Sequence, residues 1–446
     1  MERLKMLGAA GGEVTGFSAL ATTNEGSQYL VDAGLFQGRG QGVDPRNRDF
    51  GNNDLGTVKA VFITHAHVDH TGRLPLLDKL YHYKGPVYMT PPTLPLTRML
   101  LNNSCDLSGG QLYSHENVDR ILDRVVMMPY NREINVDGIS AVFRDARHIL
   151  GSASLEMQEK GRKGEKIVFS GDIGNSFSRL ARFAKPITSA DLLVTEATYG
   201  DEIHPKSDPK VVIKEAVDYV DKTKGTIVIA AFALEKTQNL LDTLKEMREN
   251  GQLGNIPVIL DGQMNIEATD TYKNYIGLLS DAIQGQKNPF NFSKFLRTYT
   301  SEDSRAIDHY RGPKIIIAGS GMMTGGRIMR HAYNYLPDPK SVFLFVGYPG
   351  ENTLARDILE GKKEVMVGNY VVDVEAKVMR TGAFSSHADK EQIGNFIGSI
   401  AGIRAVIVTH GKNKARNELA NNIVTEHGIG KVYVPDLNKE MDLREN

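Results

Sequence analysis

The chain is 446 residues long and contains one cysteine, Cys105. That excludes an internal disulfide framework and fits a reducing compartment, so the cytoplasm is the expected location. No run of 18 apolar residues occurs, and the start, MERLKMLGAAGGEVTG, breaks into glycines before a signal-length apolar core develops. Neither secretion nor a membrane partner is expected. Net charge is almost absent too: 53 Lys and Arg against 54 Asp and Glu give −1, so a polyanion must find a local basic patch. There is no internal repeat and no low-complexity tract. What remains, 41% hydrophobic and 24% charged residues, is the composition of a folded protein with a large core and two or more domains.

The first 200 residues read as short strands separated by Gly and Asn turns, among them GSQYLVDAGLF, KAVFITH, EKIVFSGD and DLLVTEATYG. Continuous apolar runs such as Val61-Phe62-Ile63 suit strands buried on both faces. Polar residues gather just past the strand ends, which is where function is expected. After Gly200 the texture changes. A helix through VVIKEAVDYVDK, a strand GTIVIAAF, a helix EKTQNLLDTLKEMREN and a strand IPVILD make a βαβ unit, which predicts a parallel sheet. The strand KIIIAG then enters the glycine-rich loop SGMMTGGR, followed by a helix IMRHAYNYL and a strand SVFLFVGY. From about Thr381 the early texture returns. The expected domains are therefore 1–200, an insert at 201–380, and 381–446 completing the first.

The densest chemistry is Thr64-His65-Ala66-His67-Val68-Asp69-His70, directly after a strand. Its spacing is that of a loop and not the i, i+4 pattern of a helical zinc motif. Alternate residues of an extended loop diverge, so His65 and His67 can face one metal while Asp69 and His70 face a second. Two such ions lie about 3.5–4 Å apart in two-metal hydrolases. Imidazole with carboxylate suits zinc, and ligand type alone leaves manganese and iron open. Further strand-end ligand candidates are His148 in ARHILGSAS and Asp172 in FSGDIGN. Asp32 in YLVDAG reads as a carboxylate that orients a ligand histidine.

THAHVDHTGRLP, the His148 segment and FSGDIGN together resemble the signature of the metallo-β-lactamase fold, an α/β fold built as an αββα sandwich. TEATYGD around Glu196, GAFSSHAD around His387 and IVTHG around His410 resemble the accessory motifs of its β-CASP branch of nucleic-acid nucleases. In that branch an α/β β-CASP domain, a parallel sheet flanked by helices, is inserted into the hydrolase fold. The resemblance implies two Zn2+ per chain. His65, His67 and His148 would hold one, Asp69, His70 and His410 the other, and Asp172 would bridge them. It further implies that Glu196 orients His387, the acid that protonates the leaving oxygen. Water would be the nucleophile, leaving 5′-phosphate and 3′-hydroxyl ends.

RNA-directed members carry a histidine at the last motif, as His410 does here, so the implied partner is single-stranded RNA, with a homodimer or an RNA-processing complex as the expected assembly. The nearest resemblance is to bacterial and archaeal relatives of the nuclease subunit of the cleavage and polyadenylation specificity factor. The chain shows no N-terminal RNA-binding extension and no added C-terminal domain like that of ribonuclease J, which favours an endonuclease over a 5′–3′ exonuclease. A small-molecule ester or lactone hydrolase on the same fold and a non-catalytic RNA-binding subunit are the rival readings. The loop containing Ser320, Gly321, Gly325 and Arg327 lies between a strand and a helix, where backbone amides can accept a phosphate, with Arg327 and Arg330 adding charge. His331 reads as a residue of the helix surface. The chain departs from the family pattern at Arg147 and at Glu235-Lys236, where Gly and Gly-Arg are common, at Gly262-Gln263 in place of Ser-Pro, and at Ser386 in place of Ala.

Overall fold

Period-two alternation along the buried strands sorts their side chains onto two faces. Ala60 and Phe62 enter one apolar core, while Val61 and Ile63 enter another on the opposite face of the same sheet. In the computed structural model, residues 1–38, 43–161, 165–182, 185–205, 207–347 and 349–443 are described. The chain divides into two units, the first comprising Met1–Phe177, Ala181–Ile203 and His387–Asn446, the second Ser178–Leu180 and His204–Ser386.

The first unit holds two seven-stranded sheets. One runs in the order Glu440–Asp442, Arg3–Gly8, Ser18–Thr22, Gln28–Val31, Ala60–Phe62, Val87–Met89, Val125–Met127. Its pairings are antiparallel as far as Gln28–Val31 and parallel beyond. The other runs Lys431–Tyr433, Ala405–Val408, Leu192–Thr195, Lys166–Phe169, Ala153–Glu159, Ile139–Asp145, Glu133–Val136. There the first four strands are mutually parallel and the rest antiparallel. Tyr29, Phe62, Phe143, Leu155, Phe169 and Ile407 fill the space between the sheets. Helices cover both outer faces. Leu74, Leu77, Leu101 and Ile121 pack on the first sheet, and Ile393, Ile397, Leu419 and Ile423 on the second. The result is an αββα sandwich.

Local chemistry starts and stops these helices. Ser114 and Asn117 form a capping box at His115–Leu122, Asp389 accepts from the Gln392 amide at Lys390–Gly398, and Gly428, at φ 68°, ends Asn413–His427. No helix among the described residues is long and apolar enough to cross a membrane.

The second unit is built on a six-stranded, wholly parallel sheet in the order Phe295–Thr298, Val258–Asp261, Lys314–Ala318, Thr226–Ala230, Val342–Phe345, Lys377–Arg380. Ile227, Val228, Ile229, Ile315, Ile316 and Ile317 are fully buried, as a sheet covered on both faces requires. Ser178–Leu180 joins this unit through Ser178 Oγ, which donates to Glu235, and Leu180 O, which accepts from the Ser280 amide. Chain-local texture carries no signal for that excursion.

Candidate metal centre

Each strand that feeds the site delivers its polar residue just past its carboxyl end. Asp32 follows Gln28–Val31, His65 and His67 follow Ala60–Phe62, and Asp69 and His70 fall in the turn of helix Val68–Thr71. From the second sheet come His148, Asp172, Glu196 and His410, after Ile139–Asp145, Lys166–Phe169, Leu192–Thr195 and Ala405–Val408. His387 is placed by an antiparallel bridge to Gly174 and by the Ala388 amide, which donates to Ile173 O. Gly174 is glycine for space, because a Cβ there would lie 1.9 Å from Arg147 O. All of these residues belong to the first unit.

Two groups of candidate metal ligands result. His65 Nε2 lies 3.1 Å and His148 Nε2 3.2 Å from His67 Nδ1. His70 Nε2 lies 3.1 Å from His410 Nε2, and Asp69 Oδ2 lies 3.6 Å from that nitrogen. Asp172 stands between them. Its Oδ2 is 3.4 Å from His65 Nε2 and 3.5 Å from His148 Nε2, and its Oδ1 is 3.3 Å from His70 Nε2 and 3.6 Å from His410 Nε2. Within each group the donor atoms all lie within 4.8 Å of one another. Asp172 Oδ1 is buried and accepts no hydrogen bond, an expensive state for a carboxylate oxygen that a cation would relieve. Imidazole nitrogens facing one another around such an oxygen fit a divalent metal of the zinc type.

The outward nitrogens of these rings are tied down. Asp32 Oδ2 is 2.8 Å from His70 Nδ1, and both Asp32 oxygens accept from Thr64, through its amide and its hydroxyl, each at 2.7 Å. Thr64 Oγ1 lies 3.1 Å from His65 Nδ1, and Thr198 Oγ1 lies 3.1 Å from His410 Nδ1. A proton on each outer nitrogen leaves the inner lone pair for a metal. Thr64 and Thr198 were not visible as functional residues in the sequence, since a threonine beside a motif has no distinguishing spacing. Replacing Thr198 with valine keeps its shape and removes the acceptor. Metal affinity is expected to fall by about tenfold, read by competition with a chelator, with the unfolding midpoint of the metal-free protein nearly unchanged.

The protonation landscape agrees with a cation site. Burial pushes His65 down to about 4 and His67 to about 3, and pushes His148 well below the usual histidine value, so all three stay neutral. Burial opposes charge on Asp172 as well, yet His410, His70 and His65 outweigh it and hold the carboxyl well below its usual range. For His387 the burial penalty is overcome by Glu196 and Asp172, which raise it. His387 Nδ1 lies 3.3 Å from Glu196 Oε2, and the ring is 20% exposed against 1% for Glu196. Glu196 is held in turn by the Ile173 amide at 2.6 Å.

The glycine-rich loop lies in the second unit. Ser320 Oγ is 3.3 Å from Thr324 Oγ1, Gly321 is buried, and Gly325 faces open space. Arg327 differs from the expectation of added charge. Its guanidinium donates to Asp261 Oδ1 at 2.8 Å and to the carbonyls of Thr298 and Tyr299, while Arg330 donates to Asp308 and Ser304. His331 is not on the helix surface. It is fully buried, with Nε2 2.6 Å from Asp261 Oδ2. The carboxyl end of strand Val258–Asp261 therefore carries a buried acid locked by four donors, Thr298, Ser304, Arg327 and His331.

Burial would raise the Asp261 carboxyl, but His331, Thr298, Ser304 and Arg327 hold it well below its usual range. A depressed folded value means that the stabilisation is complete above the unfolded value of about 4 and is lost as pH falls below it. Asp261→Asn is expected to cost about 3 kcal/mol at pH 7, the lower end for breaking a buried pair. Denaturant titrations should show the gap between parent and variant shrinking as pH is lowered past about 4.

Two departures from the family pattern acquire a physical meaning here. Arg147 and Glu235 stand where glycine is common, and their φ angles are 64° and 63°, a region that favours glycine.

Three family models match the chain: a beta-lactamase superfamily domain at residues 28–231, a Beta-Casp domain at 237–358, and a Zn-dependent metallo-hydrolase RNA specificity domain at 371–435. Ribonuclease TTHA0252 of Thermus thermophilus is 31% identical over 419 residues, covering 92% of this chain and 94% of its own length. An RNase J-like protein of Methanocaldococcus jannaschii is 28% identical, covering 89% of this chain and 90% of its own. The transcription termination factor FttA of Pyrococcus horikoshii is 30% identical, covering 96% of this chain and 69% of its own.

Proposed function

The chain belongs to the β-CASP family of metallo-β-lactamase-fold hydrolases, and on that premise we propose that it is a two-zinc ribonuclease that cuts within single-stranded RNA. The single observation that carries this reading is Asp172, each of whose oxygens faces a different group of histidines. His65, His67, His148 and Asp172 would hold one ion, and Asp69, His70, His410 and Asp172 the other. When bound, two such ions supply Lewis acidity toward the attacking water and the phosphoryl oxygens.

The chain's own residues do the rest. Asp32 and Thr198 orient His70 and His410, and their placement keeps the inner nitrogens turned toward the site. Glu196 accepts from His387 and favours its protonated form, as a group that must deliver a proton to the leaving 3′-oxygen requires. Water as nucleophile leaves the ribose 2′-hydroxyl unused, so 5′-phosphate and 3′-hydroxyl ends are expected. Ribonucleases among the similar proteins and a matching RNA specificity model support RNA over a small ester.

End-labelled RNA tests the reading. The zinc-loaded protein is expected to convert 5′-labelled RNA into a set of labelled 5′-terminal fragments of several lengths, each ending in a 3′-hydroxyl. Immediate release of labelled mononucleotide means 5′–3′ trimming instead. Turnover of a lactone or thioester with intact RNA sinks the nuclease reading.

A further inference from the structure

Lys236 is the first residue of helix Lys236–Glu249 in the second unit, and its ammonium is anomalous. Among the described residues the ammonium has no hydrogen bond and no carboxylate partner, and it stands over the Phe232 ring, 5.4 Å from Nζ to the centroid. Burial alone pushes its pKa down to about 8. Removing an ammonium from water without a paired anion costs stability. The neighbouring Glu235 does not offset it. That carboxylate is buried and accepts from Ser178 Oγ at 3.0 Å, Asn239 Nδ2 at 3.1 Å and Tyr272 Oη at 2.8 Å.

The chain also maintains this arrangement at the cost of backbone strain. The Lys236 amide donates to Leu234 O at 2.7 Å, closing a γ-turn in which Glu235 sits at φ 63°, ψ −52°. Gly347 lies beside the ammonium, for a Cβ there would lie 2.7 Å from Nζ.

The location suits a ligand. Ala230, Ala318, Phe345 and Asp261 are in register at the carboxyl edge of the parallel sheet. Thr226–Ala230 leads through the Lys236–Glu249 helix to Val258–Asp261, and the adjacent Lys314–Ala318 leads through Arg327–Tyr335 the opposite way to Val342–Phe345. With the usual right-handed crossovers these two helices fall on opposite faces, the arrangement that in parallel sheets places ligands just beyond the two strand ends. The glycine-rich loop borders these ends, since a Cβ on Gly321 would lie 2.5 Å from the Phe232 ring.

Resting on the ribonuclease reading, we infer that Lys236 is a phosphate-binding residue of the inserted domain, its ammonium receiving a phosphoryl oxygen of the RNA. The oxygen can belong to an internal phosphodiester or to a 5′-terminal phosphate. An oxyanion there supplies the partner that the protein withholds.

The test measures equilibrium binding of 5′-hydroxyl and 5′-monophosphate forms of one RNA oligonucleotide to zinc-loaded protein across a salt series. The protein carries His387→Ala to preserve the RNA, alone and with Lys236→Gln or Lys236→Met. Loss of one charged contact is expected to weaken binding about tenfold and to reduce the slope of log K against log salt by about 0.7. The unfolding midpoint is expected to hold or rise, because a partly buried ammonium without an anionic partner has been removed. Equal losses on both RNAs place an internal phosphodiester on Lys236; a loss confined to the phosphorylated RNA places the terminal phosphate there. An unchanged slope in either variant, or a lowered midpoint in both, overturns the inference. Failure of the Lys236-containing protein to bind RNA at all would instead overturn the ribonuclease reading.

Discussion

Asp172→Ala is expected to empty the metal centre and to reduce RNA cleavage on the order of 10⁴-fold or more, to background. Among the described residues no other faces both candidate ligand groups with separate oxygens, so removing it weakens both halves of the site together. The variant also strands the histidines. His70 and His410 owe their raised values in part to Asp172, and without it they lose an anionic neighbour in a site where each is at most 2% exposed. Two measurements separate lost metal from lost fold. Elemental analysis should find zinc depleted in the variant, and added zinc should raise the parent's unfolding midpoint by mass action while leaving the variant's unmoved. Full metal content with lost activity would remove Asp172 from the ligand set and leave it a role in the chemistry alone.

The site was largely legible because its parts are local. Three histidines and an aspartate within six residues, with His148 and Asp172 each just past a strand end, can be read without knowing which strands pair, whereas His410 entered through the family resemblance. The apolar run Val61-Phe62-Ile63 showed only that its strand needs cover on each face, and the αββα layering came from the family resemblance. What escaped depends on residues that meet only in space. His331 looked like a surface residue because its partner, Asp261, is 70 positions away, and the same acid absorbs Arg327. Arg147 and Glu235 stood out only as departures from a glycine pattern, and each occupies a backbone position of positive φ. Glu235 offsets its strain with hydrogen bonds that glycine cannot make.

His387→Ala is expected to lower the rate of RNA cleavage by about 10²–10⁴-fold while zinc content stays at the parent level. The distinction follows from position. The ligand histidines are at most 2% exposed except His67, which lies in the same cluster, whereas the His387 ring is 20% exposed and leans on Glu196. A group that donates a proton to the departing 3′-oxygen becomes dispensable when that oxygen is replaced by sulfur, because a thiolate leaves without one. On a 3′-thio-substituted linkage the parent and His387→Ala should therefore cleave at nearly the same rate. Glu196→Gln should show the same pattern with a smaller defect, since it acts only by holding His387 and favouring its charged form. If the His387→Ala defect on the sulfur linkage equals that on the oxygen linkage, His387 positions the substrate or the water and the proton comes from elsewhere. If zinc is lost with it, His387 belongs among the ligands, and the 3.9 Å between its Nδ1 and Asp172 Oδ2 is where that error would have arisen.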